Sequence, residues 1–144
     1  SFGLAQLKKL PANIQTRQDN FKRQCDFFNK YDQFFDVPFE TYGSNTAWLA
    51  FPLLIKKESP FSRRQFQIYL EERNIQTRVV FTGNILKQPM CKNIEKRVNT
   101  NGYPNSDAVM ERGVLLPIHH GLTEAMFQRF HATITEFVTD FLKD

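Results

Sequence analysis

Thr77-Arg78-Val79-Val80-Phe81-Thr82-Gly83-Asn84-Ile85-Leu86-Lys87-Gln88-Pro89 is the stretch that decides how this chain is organised. Its β-branched and aromatic residues up to Phe81 are typical of a strand in the core. A polar Gly-Asn turn follows directly. We interpret the stretch as a buried strand that delivers a loop to a functional site.

The loop after this strand carries polar side chains suited to a ligand. The hydroxyl of Thr82 and the amides of Asn84 and Gln88 can form hydrogen bonds with a polyhydroxylated molecule. Residues 82–106 show no helix or strand period, and a stretch of that length in a compact domain is usually functional or disordered. We favour a functional loop, which we expect to be mobile, or held only by neighbouring molecules, when its partner surface is missing.

Long amphipathic helices are predicted at both ends of the chain. Over residues 2–31, apolar side chains recur at spacings of three, four and seven, and a kink or restart is expected at Pro11. This helix has no N-terminal cap at Ser1, so we expect that a segment precedes it. Thr123 can cap the last helix, and its apolar stripe continues to the C-terminal end.

Capping residues predict two further helices. Ser62 and Gln65 can form a capping box, and Phe61 can pack on Phe66 beside it. Asn74 can take the left-handed conformation that ends this helix. Ser106 can cap a short helix before the last strand.

Three apolar runs predict the strands of one sheet, at residues 46–55, 75–81 and 114–118. The order of elements predicts a two-layer α+β domain, a three-stranded sheet with the long terminal helices packed on one side. The inner faces of its helices should bury five residues: Phe66, Phe127, Phe130, Ile134 and Phe137.

Length and composition favour one domain and exclude some classes of partner. The chain has 144 residues, 41% of them hydrophobic, which suffices for one core. The formal charge is +4, but the basic residues are scattered between acidic ones instead of forming the stripe that nucleic-acid binding needs. We therefore expect no nucleic acid partner. No apolar run is long enough for a membrane span. Cys25 and Cys91 lack the CxxC spacing and the sequence shows no secretory signal, which favours a reduced, cytoplasmic protein.

No complete catalytic set can be recognised. His119 and His120 are neighbours at a strand end and point to opposite sides, and further metal ligands at suitable spacing are missing, so we expect no metal. One of the two can contact a ligand or the start of the last helix. No lysine lies in a segment that offers the desolvated pocket of a Schiff base. Taken alone, the chain lacks the residues that a complete enzyme needs.

Four motifs resemble, in order, the C-terminal third of the DegT/StrS family. They are GLAQLKKLP at residues 3–11, IQTR at 75–78, GNILKQP at 83–89 and LPIHHGLT at 116–123. The resemblance covers essentially the whole chain. It implies that residues 1–144 are a single C-terminal small domain of the aspartate aminotransferase (type I PLP) fold, cut from a longer chain whose N-terminal domain binds pyridoxal phosphate (PLP).

The resemblance also implies a function. The family acts on nucleotide-linked keto sugars with PLP, and we expect a homodimeric parent enzyme. The pattern TRxxFxGNxxxQP at residues 77–89 is more similar to the 3-dehydratase branch, typified by CDP-4-keto-6-deoxyglucose-3-dehydratase, than to the aminotransferases. It implies a dehydratase of deoxysugar and lipopolysaccharide biosynthesis. A nucleotide-sugar aminotransferase and a non-catalytic α+β binding module are the alternatives.

Six residues are predicted to bind the substrate, and none is assigned to catalysis, cofactor or metal. Arg78 can pair with a nucleotide phosphate, although a surface ion pair is an equal alternative. The full set is Arg78, Thr82, Gly83, Asn84, Gln88 and His119.

Overall fold

The computed structural model describes residues 2–142, so the uncapped helix start predicted at Ser1 lies outside them. In chain order the elements are α1 (Phe2–Phe28), β1 (Phe35–Asp36), β2 (Phe51–Ile55), α2 (Arg63–Glu72), β3 (Arg78–Val79), α3 (Pro104–Arg112), β4 (Gly113–Leu116) and α4 (Glu124–Thr139). Short 3-10 helices lie at Asn29–Tyr31, Ile85–Lys87 and Pro89–Cys91.

The strands form one antiparallel sheet in the order β1-β2-β4-β3. The predicted α+β class is confirmed, but the sheet has four strands, not three, because the prediction missed β1. With two residues, β1 is too short to show the alternation from which a strand is predicted. β2 and β4 occupy the centre, paired from Phe51 with Leu116 to Leu54 with Gly113.

The central strands are shorter than predicted. Residues 46–50 do not join β2. There, Trp48 stacks on Phe21 of α1 with ring centroids 4.0 Å apart, and its carbonyl accepts a hydrogen bond from Arg17. This segment is therefore attached to α1 instead of a neighbouring strand. β4 ends before Pro117, which has no N–H group to donate to the ladder.

The prediction of a buried strand over residues 75–81 is wrong. β3 is a two-residue edge strand with both residues exposed. Phe81 is 87% exposed and has a φ of +47°. The cause lies upstream, because the backbone N–H and the hydroxyl of Thr77 both donate to Glu71 in α2. The chain is thus held against α2 until Thr77, and only two residues are left to pair with β4.

Phenylalanines join one face of the sheet to α1, α2 and α4. Alternate residues of β2 are buried on this face. Phe28 in α1 is completely buried, and its ring centroid lies 5.4 Å from that of Phe51, 5.3 Å from that of Phe35 and 6.4 Å from that of Phe130. All five predicted inner-face residues are buried, which confirms that prediction: Phe66, Phe127, Phe130, Ile134 and Phe137.

The first turns of α1 are exposed, contrary to the apolar stripe predicted there. Leu4, Leu7 and Leu10 are exposed, and the buried residues of this helix begin at Asn20. No part of residues 2–142 covers this end of the helix. The restart expected at Pro11 is not found, since α1 runs through it. The surrounding Leu, Lys and Ala residues favour helix strongly, and the cost of one proline is tolerated.

The helix caps predicted for α2 and α4 are confirmed. The Ser62 hydroxyl accepts a hydrogen bond from the backbone N–H of Gln65, and the Gln65 side chain accepts one from the backbone of Ser62. Thr123 caps α4 through the N–H of Met126. Asn74 takes the left-handed conformation after α2, with a φ of +57°.

α3 lies on the other face of the sheet. Pro52 and Leu54 alternate with the buried residues of β2, and with Val109 of α3 they line a surface cavity of about 330 Å³. The helix begins at Pro104, so the cap predicted at Ser106 is wrong. Proline suits a first helical position because its φ is already helical.

None of the helices within residues 2–142 combines the length and the apolar character that a membrane crossing requires.

Truncation of Phe130 or Phe137 to alanine should destabilise the domain. Both side chains are enclosed between α4 and the aromatic core, so each substitution should lower the free energy of unfolding by about 3 to 5 kcal/mol. Urea denaturation followed by circular dichroism measures this. Met126→Ala, at an exposed position of the same helix, is the control and should change stability little. Losses below roughly 1 kcal/mol at both phenylalanines would contradict the assigned inner face.

Stability should also depend on the protonation of His131. Its ring is half-buried and stacked on Phe27 at 3.8 Å, and desolvation together with Arg23 and Lys30 lowers its pKa from 6.5 to about 4. The unfolded chain therefore takes up this proton first, and stability should fall as the pH falls from 6.5 to 4.

The His131→Gln variant isolates this contribution. The difference in free energy of unfolding between the wild type and the variant should be constant above pH 7. It should shrink by about 1 to 2 kcal/mol towards pH 4, less than the whole shift would give because the side chain is only partly buried. If the difference in free energy of unfolding does not change with pH, the folded state does not favour the neutral form of His131.

Candidate functional site

The turn at residues 82–88 is closed by its own hydrogen bonds. The side-chain amide of Gln88 donates to the carbonyl of Thr82 at 2.8 Å, and the N–H of Lys87 donates to the carbonyl of Asn84 at 3.1 Å. The Asn84 side chain accepts from the N–H of Leu86 at 3.1 Å and so caps the short helix Ile85–Lys87. The predicted loop thus contains local structure that has no period long enough to be detected in the sequence.

Asn84 also ties this turn to α3. It is only 6% exposed, and its amide donates to Asp107 in the first turn of α3 at 2.7 Å. The ammonium of Lys87 lies 3.0 Å from the same carboxyl oxygen. The hydrogen bond from Asn84, with that of Lys87, lowers the pKa of the Asp107 carboxyl. The carboxylate therefore joins two residues of the turn to one helix.

Gly83 makes the second contact with α3. Its φ is +66°, a conformation that side-chain-bearing residues rarely adopt, and a Cβ here would lie 2.2 Å from the Cβ of Met110. Only glycine allows the backbone to approach the helix so closely.

Phe81 was predicted to lie in a buried strand, and in the structure it is exposed. A bulky residue with a positive φ is strained, and such strain concentrates at functional sites. Its ring projects into solvent beside Thr82, which is also exposed. The sequence offered one signal for this, namely an aromatic residue directly before a Thr-Gly-Asn turn.

The structure brings four of the six predicted residues together and separates the other two. Thr82, Gly83, Asn84 and Gln88 form the turn, next to the start of β4. Arg78 precedes them on the edge strand, exposed, beside a cavity of about 520 Å³ that Glu71 and Glu72 also line. His119 follows the opposite end of β4, and its Nδ1 atom accepts the N–H of Gly121 at 3.1 Å.

The described residues contain neither a buried lysine that could form a Schiff base with PLP nor a cluster of metal ligands. No three or more His, Cys, Asp or Glu side chains of residues 2–142 group as metal ligands would. None of the lysines in that range is buried, and the least exposed of them, Lys56, faces Asp36 at 3.5 Å. A Schiff-base lysine needs a desolvated pocket. These residues therefore supply no covalent anchor for the cofactor.

Curated relatives match nearly the whole chain. The lipopolysaccharide biosynthesis protein RfbH of Salmonella typhimurium is 31% identical over 121 residues, 84% of this chain. The dTDP-4-dehydro-2,6-dideoxy-D-glucose 3-dehydratase of Saccharopolyspora spinosa is 30% identical over 138 residues, 96% of this chain. The chain spans only 28% and 29% of the lengths of these two relatives.

The fold is found in solved structures as well. The E. coli GDP-4-keto-6-deoxy-D-mannose-3-dehydratase with bound hydrated PLP superposes with a TM-score of 0.76 at 30% identity, over 91% of this chain and 33% of that one. The sequence profile of the DegT/DnrJ/EryC1/StrS aminotransferase family matches residues 1–135. The chain therefore belongs to the DegT/DnrJ/EryC1/StrS aminotransferase family.

Proposed function

We propose that residues 1–144 form the C-terminal small domain of a longer PLP-dependent enzyme, a 3-dehydratase that acts on a nucleotide-linked 4-keto-deoxy sugar. One observation carries this proposal: the 30% identity over 138 residues to a protein named as a 3-dehydratase of such a sugar. The similarity to RfbH supports a place in lipopolysaccharide biosynthesis.

The remainder of the longer protein holds the cofactor in this proposal. The described lysines offer no desolvated pocket, whereas the similar E. coli enzyme, about three times as long, contains hydrated PLP. The exposed leucines at the start of α1 supply an apolar surface against which the rest of the protein can pack. We assign the parent enzyme to the cytoplasm, as a homodimer, without a nucleic acid partner.

Within this domain, the turn at residues 82–88 forms one wall of the sugar site. Thr82 is exposed, and its hydroxyl has no hydrogen-bond partner within residues 2–142, so it is free to bond a sugar hydroxyl. Phe81 presents an exposed ring beside it. Asn84 and Gln88 stay predicted substrate ligands, but both polar atoms of the Asn84 amide and the amide nitrogen of Gln88 already form hydrogen bonds that build the turn. Their contribution is therefore to its shape.

Arg78 and His119 keep their predicted roles as outer substrate contacts. The exposed guanidinium of Arg78 has no ionic partner within 4.0 Å among residues 2–142 and can bind a nucleotide phosphate. His119 follows the end of β4, and Arg78 is paired with Leu115 close to that end.

A sugar aminotransferase is the second candidate, because the family is described by that activity. The two reactions leave different atoms in the product. A 3-dehydratase removes the C3 hydroxyl and keeps the keto oxygen, whereas an aminotransferase replaces the keto oxygen by nitrogen and keeps the hydroxyl.

Mass spectrometry of the product separates these candidates. The full-length protein is incubated with PLP, an amino-acid donor, and the GDP-, CDP- or dTDP-linked 4-keto-6-deoxy sugar. We expect a product that has lost the C3 oxygen and contains no new nitrogen. A product that gains nitrogen and retains all its hydroxyls would establish the aminotransferase. Binding without any turnover, for every substrate and with PLP bound, would leave the non-catalytic binding module.

Two substitutions in the turn should separate catalytic activity from stability, because one should lower kcat/KM and the other should lower the free energy of unfolding. Thr82→Val keeps the size of an exposed side chain, so stability should change by less than about 0.5 kcal/mol, while loss of the sugar contact should lower kcat/KM about tenfold. Asn84→Ala removes bonds to Leu86 and Asp107 from a buried position, so it should cost about 1 to 3 kcal/mol of stability.

Both variants are made in the full-length protein, and steady-state kinetics and thermal melting are recorded together. Unchanged kinetics in Thr82→Val would show that the Thr82 hydroxyl does not contact the sugar. If Asn84→Ala loses activity with no change in melting, Asn84 binds the substrate directly.

A further inference from the structure

We propose that Asp107 is a positioning residue, which fixes the turn at residues 82–88 on α3 and thereby sets where Phe81 and Thr82 face the sugar. This inference rests on the proposed function for its last step. Asp107 acts on the turn through its hydrogen bond with Asn84.

The helix that carries Asp107 is a fixed platform. α3 continues into β4 without a connecting residue. The guanidinium of Arg63 in α2 donates to the carbonyls of Met110 and Gly113, at 2.7 Å and 3.3 Å, and Arg112 donates to the carbonyl of Ile55 in β2. The position of α3 is therefore set by the centre of the sheet.

Polar contacts hold the turn to this platform. None of the residues of α3 is buried, so apolar burial contributes little to the attachment. Asp107 and Met110 lie three residues apart on one face of the helix. The first binds Asn84 and the second lies against Gly83. Two neighbouring residues of the turn thus meet two neighbouring positions of the helix.

The bond from Asn84 to Asp107 is the stronger part of this attachment. A hydrogen bond to a charged acceptor exceeds one between neutral groups, and Asn84 is nearly inaccessible to water that could replace it. The contact of Lys87 with Asp107 joins two side chains that are 55% and 36% exposed, and such surface pairs contribute little. Removing the carboxylate should therefore release the turn, whereas removing the lysine should not.

Three variants of the full-length protein separate these contributions. Asp107→Ala removes the acceptor. Asp107→Asn keeps an oxygen that can accept from Asn84 but removes the charge, and Lys87→Met removes only the ion pair. Hydrogen–deuterium exchange of the backbone amides of residues 83–91 reports on the turn, and kcat/KM for the nucleotide sugar reports on its position.

For Asp107→Ala we expect exchange in this segment to rise about tenfold and kcat/KM to fall by a similar factor, with exchange in α4 unchanged. Asp107→Asn, which leaves a neutral acceptor, should lie between Asp107→Ala and the wild type in both measurements. Lys87→Met should stay within about threefold of the wild type. Unchanged exchange in Asp107→Ala, or faster exchange with unchanged kcat/KM, would overturn the proposal.

A glycine pair tests the same attachment without changing a charge. Gly83→Ala must displace Met110, whereas Gly102→Ala meets no atom within 4 Å at a similar φ of +69°. Only the first should raise exchange in residues 83–91 and lower kcat/KM; equal effects would count against the proposal. If the protein turns over no nucleotide sugar, the proposed function has failed, and the exchange data still decide whether Asp107 holds the turn.

Discussion

The packing of Phe28 against the sheet is the interaction on which the rest of this domain depends. Its ring meets Phe35 of β1, Phe51 of β2 and Phe130 of α4 at once. Four strands of two to five residues have too few backbone hydrogen bonds to be stable alone. The aromatic layer supplies the missing burial, because the first helix, the last helix and the sheet meet in it.

This core also determines where the candidate site lies. With α1, α2 and α4 on one face, only the other face is left for α3, which leads directly into β4. The turn at residues 82–88 leaves the edge strand β3 and lies on α3. The central strands of the sheet thus fix the position of one short helix, and this helix fixes the position of the solvent-exposed turn.

Features that depend on neighbouring residues could be predicted from the sequence, and those that depend on distant ones could not. The caps at Ser62 and Thr123 each need only four consecutive positions, and both are present. The exposure of Phe81 depends on Glu71, which holds the chain against α2 as far as Thr77. For Asn84 the turn itself was predictable, but its partner Asp107 lies 23 residues further on, after a segment without any period.

The shortness of the edge strands has a consequence for how this domain behaves in a crowded solution. A long, unpaired edge is a template on which another chain can add a strand, which is a common route to aggregation. Here both edges, β1 and β3, have only two residues, and each carries a charge, at Asp36 and at Arg78. The sheet can remain open without offering such a template, so the domain needs no barrel closure to avoid growth into intermolecular β-structure.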